Sequence, residues 1–158
     1  MTMPTQPTIY DLLLFSTSNP LKIGVYAKNR LIESFFQEGQ ISDILIPLFD
    51  KISTKYPNIQ TLFFVNGPGS LMALKLVYIF AKTLAMAKGI KLQATNGFAF
   101  NGNHPIKAYG TCYFVCDKTG KISIQSYESP PKCTPYILPK ILDTNLFSKD
   151  INPLYLMP

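Results

Sequence analysis

The sequence is poor in charged residues, in histidine and in arginine, and it has no long apolar run. Charged residues make up 15% of the 158 residues, against about 25% in a typical globular protein. Because the apolar fraction is ordinary, such a chain keeps apolar surface to cover, which favours a protein partner. No apolar run reaches the roughly 20 residues that span a bilayer. The N-terminus also lacks the features of a signal peptide, so we expect one compact cytoplasmic domain.

Metal ligands are scarce, and their spacing does not form a site. His104 is the only histidine, and the three cysteines, Cys112, Cys116 and Cys133, contain no Cys-x-x-Cys pair. Cys112 and Cys116 lie four apart on a predicted strand, about 13 Å from each other, which is too far for a disulfide. We therefore predict buried free thiols, no structural zinc and no cofactor.

The basic residues do not predict a protein that recognises a nucleic-acid sequence on its own. The net charge of +6 permits an acidic partner. However, fourteen of the fifteen basic residues are lysines spread along the chain, and Arg30 is the only arginine. Arginine supplies the bidentate contacts of specific recognition. Any contact with RNA is therefore expected to be indirect, within a larger assembly.

The first 96 residues have the pattern of an α/β sheet with two helices. Alternating and apolar segments separated by turn signals predict three antiparallel strands, and the next segments alternate helix and strand. Ser42 is the predicted N-cap of the first helix. The order predicts a mixed five-stranded sheet with flanking helices, the ribonuclease H-like lobe of the actin and sugar-kinase architecture. The predicted strands are 9–16, 21–26, 31–37, a segment starting at 61, and 91–96, and the predicted helices are 42–56 and 70–88.

The remaining residues indicate a smaller second part. Residues 97–107 are predicted as a loop, and Lys118-Thr119-Gly120 joins two strands of a hairpin. A proline-rich connector at 129–140 and a short apolar tail at 151–158 follow. We therefore divide the chain into a lobe at 8–96 and a reduced C-terminal part at 97–158.

The segment 61–90 is the most unusual part of the sequence. After a tight turn it continues as a helix that is apolar nearly all round, with Lys75 and Lys82 on one narrow line. A surface helix normally exposes one polar side to solvent. This helix therefore has to be covered on two sides. The protein's own sheet covers one side, and we expect a second protein to cover the other.

The turn before that helix has two possible roles. Gly67, Gly69 and Ser70 stand between a strand and a helix N-terminus, where unpaired N–H groups can bind a phosphate. The turn lacks the Lys-Ser/Thr ending of a phosphate-binding loop. A sharp structural turn is the alternative.

No catalytic set emerges from the sequence. The first strand ends at Ser16, where magnesium-dependent phosphoryl transfer in this architecture would need a carboxylate. As a general base, His104 would need a nucleophile such as Cys112 or a serine, and nothing in the sequence links them. We predict no catalytic residue and no metal, with a peptidase-like enzyme or a nucleotide-binding module as the alternatives.

Residues 65–92, VNGPGSLMALKLVYIFAKTLAMAKGIKL, resemble the signature region of the TsaB (YeaZ-type) family, a subunit of bacterial tRNA threonylcarbamoyladenosine synthesis. The Gly-Pro-Gly-Ser turn at 67–70 matches, as do several positions of the following helix: Leu74, Ala81, Lys82, Leu84 and Ala85. Thr17 and Ser18 match the end of the first strand, where Ser16 replaces the family's aspartate. Ser42 to Leu48 parallels the family's Ser-Glu-x-Leu-x-Pro-Leu. The resemblance is dense over 10–95 and thin afterwards, because family members are longer and have a second lobe.

The resemblance implies a shortened, non-catalytic scaffold subunit. Such proteins pair with the TsaD-type catalytic subunit through their first two helices, recruit the TsaE-type ATPase, and form homodimers through the same helices. The turn formed by Gly67, Gly69 and Ser70 would then be a vestigial phosphate site. The predicted contacts on the two helices are Ile44, Leu45, Leu48, Leu74, Val77, Tyr78 and Ala81.

Overall fold

A computed structural model describes residues 7–156, and its main element is a mixed five-stranded sheet. The strand order is β3-β2-β1-β4-β5, antiparallel among the first three strands and parallel from β1 through β4 to β5. The sequence prediction of this sheet and its two helices is confirmed. The elements are β1 Tyr10–Phe15, β2 Leu21–Ala27, β3 Arg30–Gln37, α1 Ile41–Lys55, β4 Ile59–Val65, α2 Leu71–Lys88 and β5 Lys91–Thr95.

The central strand β1 has apolar residues on both faces. Leu12 and Leu14 belong to one core cluster, and Leu13 and Phe15 to a second cluster on the opposite face. All four are fully buried, because successive side chains of a strand point to opposite faces and both faces of this sheet are covered.

The first face, called here the helix face, is covered by α1 and α2. Its core joins aliphatic residues of both helices, such as Ile52 and Val77, to those of the strands. The prediction of Ser42 as N-cap is wrong. The N-cap is Gln40, two residues before Ser42, and its carbonyl accepts hydrogen bonds from the N–H groups of Asp43 (2.9 Å) and Ile44 (3.2 Å). The helix itself begins at Ile41. The earlier start packs Ile41 against the core. Across the residues that the structure describes, no helix is long and apolar enough to cross a membrane.

The second face, called here the loop face, is covered by irregular chain. A returning segment, residues 136–148, crosses under the sheet and buries Tyr136, Leu142 and Phe147 against it. Two backbone hydrogen bonds of 2.9 Å between Ala94 and Ser148 attach the segment to β5. Part of the chain after residue 96 therefore completes the core of the first sheet.

A second, three-stranded antiparallel sheet stands beside the first. Its strands are β6 Ile106–Lys107, β7 Cys112–Cys116 and β8 Ile122–Ser126. The predicted hairpin is confirmed, and the Asp117 carboxylate closes its turn by accepting hydrogen bonds from the N–H groups of Thr119 (2.8 Å) and Lys121 (3.0 Å). The predicted loop 97–107 also contains a 3-10 turn at Gly97–Ala99 and the short strand β6.

Candidate functional site

Packing explains both glycines of the turn that precedes α2. Gly67 has φ +125°, and a Cβ there would lie 3.2 Å from side-chain atoms of Leu74 and Leu154. At Gly69 a Cβ would lie 2.7 Å from Cγ2 of Thr17. Because Gly69 has no side chain, the turn can approach Thr17, just after β1, and because Gly67 has none, its positive φ is unstrained and it fits beside Leu74 and Leu154. The geometry thus supports the structural reading of the turn, and its role as a vestigial phosphate site stays a prediction.

The turn forms one wall of a cleft of about 770 Å³ between the two sheets. The end of β1 and the start of β2 contribute hydroxyl and amide groups and one lysine. The second sheet and the proline-rich connector form the opposite wall. The lining residues are Thr17, Ser18, Asn19, Lys22, Gly69, Ser70, Leu71, Asn101, Pro105, Ile106, Lys107, Ala108, Tyr109, Phe114, Cys133, Thr134, Pro135, Tyr136 and Leu156.

Tyr136 links the cleft to the core of the loop face. Its phenol accepts a long hydrogen bond from the Thr17 hydroxyl (3.5 Å), and its carbonyl accepts one from Nζ of Lys22 (2.7 Å). Burial raises the pKa of the Tyr136 phenol above its ordinary value. The phenol is therefore neutral at physiological pH.

Asn101 is the most deeply buried polar residue of the cleft wall. Its side chain is 1% exposed, and Nδ2 donates a 2.9 Å hydrogen bond to the carbonyl of His104. Within residues 7–156, Oδ1 is buried and has no hydrogen-bond partner. Such a group is costly to leave unsatisfied.

His104 is half-buried and has a threonine for a partner. Its Nδ1 lies 2.6 Å from Oγ1 of Thr134 and 3.0 Å from the carbonyl of Asn101. No hydrogen bond joins it to a cysteine or a serine in the described part of the chain. The structure thus pairs His104 with the Thr134 hydroxyl and not with the cysteine or serine nucleophile that we expected for a peptidase-like mechanism.

The prediction of buried thiols is wrong. Cys112 and Cys116 are half-buried, and Cys133 is exposed on the irregular connector. All three are free thiols. Between residues 7 and 156, no three histidine, cysteine or acidic side chains come together in a way that could hold a metal ion.

The structure corrects the predicted partner contacts on the two helices. Five of them are buried within the chain itself: Leu45, Leu48, Leu74, Val77 and Ala81. All but Leu74 belong to the core between the helices and the sheet. Ile44 and Tyr78 are half-buried. A helix that is apolar all round offers two apolar faces, and the sheet takes the one that we assigned to the partner.

The outer face of the helix pair carries other apolar residues. Ile46 of α1 is 66% exposed and Ile79 of α2 is 62% exposed, with Met72 at 71% and Met86 at 86%. A groove of about 170 Å³ runs between the helices beside the two isoleucines. The groove is lined by Ile41, Ser42, Leu45, Ile46, Leu76, Ile79, Phe80 and Thr83.

Comparison with solved structures agrees with this architecture. The chain is similar to YeaZ from Pseudomonas aeruginosa with a TM-score of 0.59 and 13% identity, covering 80% of this chain and 67% of that one. A second similar structure is an uncharacterized protein with similarity to peptidase YeaZ from Pseudomonas aeruginosa, with a TM-score of 0.55, 12% identity and the same coverage. No protein-family model and no curated protein matches the sequence.

The fold is therefore the ribonuclease H-like α/β lobe, with the second lobe reduced to a small sheet in the residues that the structure describes. More particularly, it is the fold of YeaZ, which agrees with the resemblance seen in the sequence. At these identities, the similarity defines the fold and leaves the activity to be argued from the sites.

Proposed function

We propose that the chain is a non-catalytic scaffold subunit of the TsaB type that pairs with a TsaD-type catalytic subunit in tRNA threonylcarbamoyladenosine modification. The YeaZ fold and the sequence motifs at 65–92 support this role. In such an assembly, which would be cytoplasmic, the TsaE-type ATPase is recruited to the pair, and tRNA is contacted through the partner.

The observation that carries the proposal is the exposed apolar face of α1 and α2. Ile46 and Ile79 flank one groove, and each leaves more than half of its surface in water. Contiguous exposed apolar residues beside a groove are typical of a protein interface. We therefore move the predicted contact from the buried residues, Leu74 among them, to this outer face.

The helices are large enough for a stable interface. α1 has 15 residues and α2 has 18, which at about 1.5 Å per residue gives lengths of about 22 and 27 Å. A standard interface buries about 800 Å² on each partner, and two neighbouring helices of this length can supply such an area. A partner of the same fold would bring an equivalent helix pair and form a four-helix packing.

The test is co-purification with the TsaD-type protein of the same source after substitution of the outer face. The double variant Ile46→Glu, Ile79→Glu places two carboxylates where apolar contact is proposed. If the two isoleucines are central to the interface, each substitution costs about 2 kcal/mol or more, which lowers the affinity about 30-fold per substitution, and the double variant loses more than either single variant. Thermal unfolding of the isolated variant remains near that of the parent, since both positions are exposed.

Ile137→Glu is the matched control, because Ile137 is 65% exposed but lies on the connector, away from both helices. This variant should co-purify like the parent. Undiminished pairing of the double variant would overturn the proposed face. Failure of the parent chain to pair with any TsaD-type subunit, or to support the modification in a reconstituted reaction, would overturn the proposed function.

The same face also predicts self-association when the catalytic subunit is absent. Light scattering at increasing concentration should then detect a dimer of the parent and of Ile137→Glu, but a monomer of the double variant. Monomeric parent at all concentrations would limit the interface to a heteromeric partner.

A further inference from the structure

We propose that the outer face of the helix pair recognises a second copy of this chain by charge, with α1 of each copy lying on α2 of the other. This pairing rests on the proposed function, which assigns the same face to a partner. It adds which helix meets which, and what excludes the other arrangement. Four exposed charged residues on the two helices carry the proposal.

The charged residues on the outer side of α1 are acidic. Asp43 and Asp50 are exposed and seven residues apart, and the exposed Ile46 stands between them. Seven residues make nearly two turns of helix, so the two carboxylates point in the same direction, about 10 Å apart. These two residues are called here the acidic pair. Within residues 7–156, neither forms an ion pair.

The lysines of α1 lie on a different flank of the helix. Nζ of Lys55 is 2.7 Å from Oε1 of Glu33 on β3, so this flank faces the edge of the sheet. Lys51 is one turn before Lys55 and therefore lies on the same flank. The negative charge of the acidic pair is thus not neutralised by its own helix.

The charged residues on the outer side of α2 are basic. Lys75 and Lys82 are exposed and seven residues apart, with the exposed Ile79 between them, and α2 contains no acidic residue. These two residues are called here the lysine pair. Met72 and Met86 continue the row of Ile79 at the same interval of seven and are 71% and 86% exposed. The outer side of α2 is therefore an apolar row beside two positive charges.

The lysine pair has no carboxylate partner in the described part of the chain. Nζ of Lys82 lies 5.9 Å from the ring centroid of Tyr78, one turn earlier on the same helix. An exposed cation–π contact of this kind contributes little, and it leaves the N–H donors of the ammonium group available. Lys88, in the last turn, lies instead over the ring of Phe49 on α1, at 5.4 Å.

The two helices carry these charges at the same height. α1 joins β3 to β4 and α2 joins β4 to β5, and these three strands are parallel. The helices therefore run in the same direction. Ile46 and Ile79 line one groove, so they lie at the same level. Because the acidic pair flanks the first isoleucine and the lysine pair flanks the second, each carboxylate has a lysine at the corresponding level of the other helix.

A second copy can meet this face about a two-fold axis in two ways. If the axis is parallel to the helices, α1 lies on α2 of the other copy, and each acidic pair faces a lysine pair. If the axis is perpendicular to the helices, α1 lies on α1 of the other copy, so that acidic pairs face each other and lysine pairs face each other. Like charges across an interface are unfavourable. The division of charge therefore selects the first arrangement.

Helix stability alone does not explain this division. Asp43 is in the first turn of α1, where a carboxylate stabilises the helix dipole. Asp50 is in the third turn, where that effect has faded. A lysine stabilises a helix in its last turn, and neither Lys75 nor Lys82 is there. Three of the four charges are thus left for a partner to explain.

Exchange of the charges between the helices tests the arrangement. The fourfold variant Asp43→Lys, Asp50→Lys, Lys75→Glu, Lys82→Glu has the net charge of the parent. Sedimentation equilibrium at low salt should show a dimer of similar Kd for the parent and for this exchange variant. A tagged parent should not retain the exchange variant, because every pair would then meet its like. Preferential mixing of the two chains would place α1 on α1 and overturn the proposal, as would a parent that is monomeric at every concentration.

Reversal of one pair measures the strength of the selection. Lys75→Glu, Lys82→Glu should weaken self-association about ten-fold or more at low salt, and the loss should shrink at high salt because the charges are screened. Lys118→Glu, Lys121→Glu is the matched control. It makes the same change in net charge at two exposed positions of the hairpin, and it should dimerise like the parent. Equal weakening in both variants would contradict a specific role of the lysine pair.

A smaller exchange covers the case in which the fourfold variant is unstable. Asp50→Lys, Lys82→Glu keeps Asp43 in the first turn of α1, and it should still self-associate and mix weakly with the parent. Co-purification of Ile46→Glu, Ile79→Glu with the catalytic subunit tests the proposed function separately. Loss of that pairing together with free mixing of parent and exchange variant would leave the proposed function intact and overturn the selection by charge.

Discussion

The two faces of the central sheet are covered in different ways. The helix face is packed by two regular helices whose buried residues are almost all aliphatic, whereas the loop face is packed by irregular chain with interlocking aromatic rings. Phe15 lies 4.9 Å from Phe100 and 5.3 Å from Tyr136, and Phe63 lies 4.7 Å from Phe147, as ring-centroid distances.

The difference shows how an irregular segment can complete a core. A helix satisfies its own backbone and buries a stripe of medium-sized side chains. The returning segment, residues 136–148, has few backbone hydrogen bonds within itself. Its packing depends instead on a small number of large aromatic rings, each of which buries about 150–250 Å². Stability on the loop face is therefore concentrated in a few residues, while on the helix face it is distributed over many.

Substitution of Phe147 should have the largest effect on stability. Phe147→Ala removes a buried ring that contacts Phe63 and Phe100, and we expect a loss of about 3–5 kcal/mol. Leu84→Ala on α2, at a comparably buried position, should cost about 2–4 kcal/mol. Urea unfolding of both variants measures the two losses.

Hydrogen exchange would sharpen that comparison. In Phe147→Ala, the amide of Ser148, which is bonded to Ala94, should lose protection before those of α1 and α2. In Leu84→Ala, protection should fall in both helices together. Equal and uniform loss of protection in the two variants would contradict the distinction between the faces.

Gly97→Ala should have an intermediate effect, confined to the loop face. A Cβ at Gly97 would lie 2.6 Å from Cζ and 2.8 Å from Cε1 of Tyr136, and closer still to Oη. The ring would have to shift, and overpacking of this kind costs about 1–3 kcal/mol.

The double variant Gly97→Ala, Tyr136→Phe is the control. Removal of the phenolic oxygen relieves the closest contact, so the two substitutions together should cost less than the sum of their separate losses. Simple additivity in a double-mutant cycle of unfolding free energies would show that Gly97 is not required by Tyr136.

Asp11→Asn should have the smallest effect and the opposite sign. Asp11 lies on the loop face of β1, Oδ1 is buried without a partner in the described residues, and burial raises the pKa of this carboxyl above its ordinary value. The folded state therefore binds this proton more tightly than the unfolded state, so the charged form is unfavourable at neutral pH. The variant should be more stable by less than about 1 kcal/mol at pH 7.

The sign of the Asp11→Asn effect on stability can be checked by lowering the pH. As the pH falls below the raised pKa, the folded parent's carboxyl takes up its proton and the penalty shrinks, and it is lost below the carboxyl's ordinary pKa, so the two unfolding free energies converge. A stability difference that grows with acidification would contradict the raised pKa.

The regular elements could be predicted from the sequence because they depend on local patterns. The meander, both helices and the Asp117 hairpin follow from alternation, helical spacing and turn residues. The assignment of the two faces of α2 failed, since Val77 and Ile79 are equally apolar in the sequence and only the position of the sheet distinguishes them. The cleft was missed for another reason. Thr17, Asn101 and Tyr136 are far apart in the chain, and no periodicity connects them.

The returning segment also affects the order of events during synthesis. The ribosome makes β1 to β5 and both helices before it makes residues 136–148. The growing chain can therefore cover Leu12 and Leu14 with its helices while the other face of the same strand, with Phe15, still lacks Tyr136 and Phe147. For that interval the nascent protein presents an uncovered aromatic surface, the kind of surface that chaperones bind.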